Sequence, residues 1–209
     1  MTRPLEGILV ADFSRVLAGP LATATLADLG ARVIKVERPG SGDDTRHWGP
    51  PWTENSSSYF ECANRSKESI DLDLDDPEDR ALARCLAERA DVLVENFKDG
   101  TLARRGLGYD DVSRSNPGVV FCSVTGFGSR GGAELPGYDF LVQATGGLMS
   151  VTGAPDGAPD GAPGGAPTKV GVALVDVLTS KDAVIGILAA LEARRATGRG
   201  QRVEVNLLS

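Results

Sequence analysis

The sequence predicts an α/β fold, an open and mostly parallel sheet with helices on both faces. Three observations carry this. Short apolar runs of strand length recur along the chain, runs with apolar residues at helical spacing separate them, and glycines and prolines punctuate the joins. Strands alternating with helices imply parallel crossovers, which bury a sheet on both faces.

Taken in order, residues 7–12 (Gly-Ile-Leu-Val-Ala-Asp) read as a short buried strand. A helix follows over residues 19–30, with Leu21, Ala24, Leu26 and Leu29 at helical spacing and Gly30 as its stop. Residues 31–37 form the next strand, with Val33, Ile34 and Val36, so the first unit is strand–helix–strand. Residues 69–74 are a third strand, Pro77 opens a helix that runs to about residue 90, and residues 91–95 are a fourth strand. After the turn Asn116-Pro117-Gly118, residues 119–124 are a fifth. Residues 169–175 read as a short strand-like run, residues 177–195 as a long helix striped by Val184, Ile187, Leu188 and Leu191, and residues 201–208 as a last strand.

Two polar stretches, 37–59 and 125–137, are irregular on this reading, and loops of such length carry function more often than simple connection. Residues 154–167 repeat Ala-Pro-Asp-Gly with a period too short for a solenoid and nothing to bury, which predicts a solvated flexible loop. The 209 residues suit one sizeable α/β domain or a large part of something longer, and the abrupt apolar end, Asn206-Leu207-Leu208-Ser209, predicts more chain beyond it.

A net charge of −7 without any basic cluster argues against nucleic-acid binding. Cys62, Cys85 and Cys122 are widely spaced with no CxxC, and the only histidine is His47, so neither a disulfide framework nor a zinc site is expected. No signal peptide or membrane span is read, which predicts a cytoplasmic protein. Gly126-Phe127-Gly128-Ser129-Arg130-Gly131 spells GxGxxG after a strand, but Gly132 and Pro136 follow where a helix should open, which argues against a dinucleotide site.

Asp176 stands between an apolar run and an apolar helix. Its plain role is an N-cap; its alternative is a nucleophilic carboxylate where open α/β sheets place ligands. Tyr138 and Asp139 come before Gln143 at the head of a short helix and, taken alone, read as cap and core before chemistry. Arg38, Lys98 and Arg104 are ordinary surface cations by default, yet each comes soon after a strand, where an anion would sit.

Several segments together resemble the class III (CaiB/BaiF-type) coenzyme A transferase family. They include Ala18-Gly19-Pro20, Leu29-Gly30-Ala31-Arg32-Val33-Ile34-Lys35-Val36-Glu37, Asn64-Arg65-Ser66-Lys67, Asp91-Val92-Leu93-Val94-Glu95-Asn96-Phe97 and Thr197-Gly198-Arg199-Gly200-Gln201. The resemblance implies the amino-terminal part of a Rossmann-like large domain, residues 1–209, without the smaller carboxy-terminal domain. It implies that coenzyme A passes from an acyl-CoA thioester to a carboxylic acid through a covalent intermediate on Asp176. The positions it assigns to coenzyme A are Leu17, Ala18, Arg38, Leu72, Asp73, Leu74, Asp75, Asn96, Phe97, Lys98, Arg104, Gly137, Tyr138 and Asp139. No metal and no permanently bound cofactor are implied, since the coenzyme A thioester is substrate, and the family's assembly is an interlocked homodimer.

Two departures stand out. Leu17 replaces a glutamine that some transferases place near the acyl oxygen, and Asp75 replaces a basic residue of some members. Two rival readings stay open: an α-methylacyl-CoA racemase, and a coenzyme A-binding fragment without independent activity. The racemase needs an imidazole base, and here Gly137-Tyr138-Asp139 offers instead a phenol whose ordinary pKa of about 10 makes it a poor base.

Overall fold

The computed structural model describes residues 3–153 and 166–209. Six strands, β1 (Leu9–Asp12), β2 (Arg32–Glu37), β3 (Glu68–Asp71), β4 (Val92–Glu95), β5 (Val120–Thr125) and β6 (Arg202–Asn206), form one sheet in the order β3-β2-β1-β4-β5-β6. Every neighbouring pair is parallel. The strand order reverses between β1 and β4, the point at which open α/β sheets leave a crevice beyond their carboxyl ends.

Alternation along each strand divides the core between the two faces. Val10, Val92, Val94, Val120 and Cys122 pack with α1 (Ala18–Asp28) and the long α6 (Leu174–Thr197). Ala11, Leu93 and Phe121 point the other way, to Ala83 and Ala87 of α3 (Pro77–Arg89) and Val112 of α4 (Tyr109–Ser115). The start of α3 is set by sequence: Asp76 accepts from the Glu78 and Asp79 amides, and Pro77 occupies the first turn. Gly198, at φ 70°, ends α6 in the left-handed region.

Several expectations need correction. Residues 169–173 pair with no strand; α6 begins at Leu174, and fully buried Gln143 of α5 (Asp139–Thr145) accepts from the Val170 amide instead. Asp176 does not cap α6. It lies in the first turn, behind an N-cap residue, Ala173, whose side chain makes no cap bond. The stretch 37–59 holds a 3-10 turn (Asp44–His47) and the start of α2 (Ser58–Asn64), whose cap is Ser57. The third strand ends at Asp71, which leaves residues 72–75 in the loop beyond it. Most of the Ala-Pro-Asp-Gly repeat, residues 154–165, lies outside the described residues.

Candidate active site

The loops beyond β1 and β4 meet at the reversal of strand order. The Arg15 amide donates to Asn96 Oδ1 (2.9 Å) and Asn96 Nδ2 donates back to the Arg15 carbonyl (2.7 Å), while the Arg15 guanidinium lies over the Phe97 ring at 5.8 Å. This reciprocal pair joins the two loops and makes the floor of a cleft.

Beneath it lies a buried ionic network. Asp12, fully buried at the end of β1, accepts from Ser14, Thr23 and Lys67. Burial alone would raise its pKa, but the ammonium groups of Lys67 and Lys35 and the two hydroxyls outweigh that and hold it well below the usual range. Burial lowers Lys67 to about 8 against the pull of Asp12. Lys35, 1% exposed, pairs with Asp43 at 2.9 Å, and Asp43 accepts from the Val16 amide at 3.1 Å. That bond holds Val16 at φ 70°, a conformation costly for a β-branched residue, directly before Leu17 and Ala18.

Two cavities open from this floor and share Arg15, Asp44, Phe97 and Lys98 as lining. The first, about 310 Å³, takes in Arg38, Leu72, Asp73, Leu74, Asp75 and Arg105. The second, about 430 Å³, takes in Leu17, Ala18, Asn96, Gly137, Tyr138, Asp139 and Asp176. Among the residues predicted for the site, Arg104 alone lines neither cavity. Its neighbour Arg105 does, paired with Asp75 at 2.6 Å, while Arg104 turns to Thr101. Sequence reasoning also missed Arg15, Asp44, Trp48 and Tyr59. The first three line the second cavity, and no motif marks any of the four.

Asp176 is half-buried. Burial, and after it the carboxylate of Asp139, push its pKa up to about 7. Tyr59 of α2 senses the same pair: burial first, then the charges of Asp176 and Asp139, push its phenol up to about 12. Tyr138 and Asp139 are adjacent but placed oppositely, Tyr138 66% exposed and Asp139 only 7%. Asp139 Oδ2 accepts from the Val175 amide (2.9 Å) and the Asp176 amide (3.3 Å), so the cap of α6 comes from α5.

Glycines make this delivery possible. A Cβ on Gly126 would stand 2.3 Å from Gly137 Cα, so the loop leaving β5 returns with two backbones in direct contact and presents Tyr138 and Asp139 beside Asp176. The GxGxxG segment lies in this loop and opens no helix. No group of metal-ligating side chains stands together among the described residues, and no helix there is long and apolar enough to cross a membrane.

A family model described as CoA-transferase family III matches residues 5–209. The chain belongs to that family. Similar proteins include succinyl-CoA:glutarate CoA-transferase of Mus musculus, 46% identical over 99% of this chain and 46% of the relative. Acetyl-CoA:oxalate CoA-transferase of Acetobacter aceti is 44% identical over 98% of this chain and 51% of the relative. Among solved structures, a CAIB/BAIF family protein from Brucella suis superposes with a TM-score of 0.91 at 46% identity, over all of this chain and 54% of the other. The chain thus spans about half the length of the relatives it matches. The six-stranded parallel sheet is the fold of that family neighbour.

Proposed function

We propose that the chain carries the coenzyme A cleft and the nucleophile of an enzyme that moves coenzyme A from an acyl-CoA thioester to a carboxylic acid, with Asp176 as the attacking group. The observation that supports this most is the position of Asp176. Its half-buried carboxylate lines a cavity that continues into a second one with Arg38 and Arg105 on its walls. Cations of that kind suit the phosphates of coenzyme A, and the cavity at Asp176 suits the acyl end.

The chemistry balances without a proton donor. An oxygen of Asp176 attacks the thioester carbonyl, the C–S bond breaks, and coenzyme A leaves as thiolate from a mixed anhydride. The thiolate then attacks the aspartyl carbonyl, releasing the donor acid and leaving an aspartyl-CoA thioester. The acceptor carboxylate attacks that thioester, giving a second anhydride and free thiolate. Attack of this thiolate on the acceptor's carbonyl gives the new acyl-CoA and restores Asp176. Small dicarboxylic acids are the acceptor class we favour, because relatives are named for glutarate, oxalate and mesaconate and because Arg15 and Lys98 offer cations for a second carboxylate. A homodimer in the cytoplasm belongs to the same proposal; the exposed Leu178 and Ile185 on α6 support the dimer alone.

Trapping tests it. The protein is incubated with succinyl-CoA, then with hydroxylamine or borohydride, and its peptides are mapped by mass spectrometry. The expected adduct lies on Asp176 and is absent from Asp176→Asn; turnover with an unmodified Asp176 rejects the mechanism. Solvent deuterium entering the substrate's α-carbon would favour a racemase instead.

A further inference from the structure

Asp139 was expected to touch coenzyme A, but its contacts point elsewhere. Both of its oxygens are engaged within the protein: Oδ2 by the Val175 and Asp176 amides, and Oδ1 by Gln143 Nε2 at 2.5 Å. Gln143, one turn further along α5, is fully buried. Its Nε2 also donates to the Val172 carbonyl at 3.2 Å, and its Oε1 accepts from the Val170 amide at 3.0 Å. Two side chains of α5 therefore hold the backbone of residues 170, 172, 175 and 176, the whole approach to the first turn of α6.

A helix start needs acceptors for its free amides, and Ala173 at the N-cap supplies none. An asparagine or serine would serve for that purpose alone. An aspartate adds something more, because it sets a second negative charge against Asp176 within a buried site. We propose that Asp139, steadied by Gln143, is the positioning residue of Asp176: it fixes the first turn of α6 from a neighbouring helix and sets a carboxylate beside the nucleophile. The proposal rests on the reading of Asp176 as nucleophile.

The consequence is chemical as well as geometric. Burial, with the Asp139 charge second, makes Asp176 more basic than an ordinary carboxylate, and a more basic oxygen attacks a thioester better. The groups facing Asp176 are Asp139 from α5 and Tyr59 from α2. Arg15, Asp44, Lys98, Asp99 and Glu134 are the other charged groups lining its cavity.

The test titrates the Asp176 carboxyl by carbon-13 NMR in the ligand-free protein, in the wild type and in Asp139→Asn. The substitution keeps an oxygen for the helix amides and removes the charge. The expected result is a fall in the Asp176 midpoint of about one unit, a tenfold change in proton affinity, with the low-pH limb of any rate profile moving by the same amount. An unmoved midpoint overturns the proposal. Gln143→Met serves where Asp139→Asn does not fold, since it leaves the charge and removes the support. Amide exchange at residues 175 and 176 should then speed up at least about tenfold, and unchanged exchange overturns the positioning role. Neither readout needs acyl-CoA. A shifted midpoint without a trapped adduct rejects only the proposed function, and an adduct with an unmoved midpoint rejects only this inference.

Discussion

Asp176 should cost the fold something at the pH where it would act. Its carboxyl rises from 3.8 to about 7 in the folded chain, so the folded state binds a proton more tightly than the unfolded one. The associated stability is fully present below about pH 4, is lost as pH rises through about 7, and amounts to a few kcal/mol at roughly 1.4 kcal/mol per unit. Asp176→Asn should therefore raise the melting temperature by several degrees near pH 8 and by little at about pH 3, where the carboxyl is neutral in the folded and the unfolded chain alike. A gain of equal size at both pH values, read by calorimetry, would refute the assignment. The opposite sign applies to Lys67. Removing its ammonium as Lys67→Met leaves Asp12 buried without its nearest ion partner, a loss of about 3–5 kcal/mol in urea unfolding. The double variant Asp12→Asn/Lys67→Met should lose less than Lys67→Met alone, because no unpaired charge is left behind.

Elements deliver these residues, and the loop between β5 and α5 depends on two glycines. Gly126→Ala would force a methyl to within 2.3 Å of Gly137 Cα, and backbone atoms on both sides leave no flexible chain to move aside. We expect a loss of about 1–3 kcal/mol in stability, together with weaker coenzyme A binding by titration calorimetry as Gly137 and Tyr138 shift in the lining of the second cavity. Stability lost with binding intact would separate the loop from the site. Strands and helices were legible in the sequence because both faces of the sheet are buried, so Val10 and Ala11, or Val92 and Leu93, had to be apolar whichever face they serve. Residues 169–175 carry the same apolar pattern and misled, because it says nothing of whether a partner strand stands alongside; here Gln143 takes the backbone bond instead. For the cap of α6 the sequence offers only Asp176, the local carboxylate, as one of its two readings, since a cap supplied from Asp139, 37 residues away, has no local signature. Arg104 and Arg105 differ for a similar reason. They share a 3-10 turn, where successive side chains diverge by about 120°, and the sequence does not record which one faces the cleft.

At the scale of the molecule, the two cavities meet where β1 and β4 part, so a ligand filling both must bridge loops from opposite halves of the sheet. Coenzyme A is long enough in kind, with anionic phosphates at one end and a thioester at the other, and the chain offers it local cations against a net charge of −7. Two consequences follow from this geometry. Binding should weaken several-fold as salt rises from about 0.05 to about 0.5 M, because the cations at the cleft are partly exposed and their field is screened. Hydrogen exchange should slow on coenzyme A binding in the segments 13–18, 72–75, 96–98 and 137–139 together, since all four border the joined cavities. The polar cavity of about 360 Å³ over one face of β4, β5 and β6, lined by Glu95, Ser123 and Arg202, provides the control. Protection confined to that cavity, or to only one of the four segments, would place coenzyme A elsewhere. Arg105→Ala should weaken binding more than Arg104→Ala, because only Arg105 lines the first cavity; equal losses would mean that the charge of this turn matters and the direction of its side chains does not.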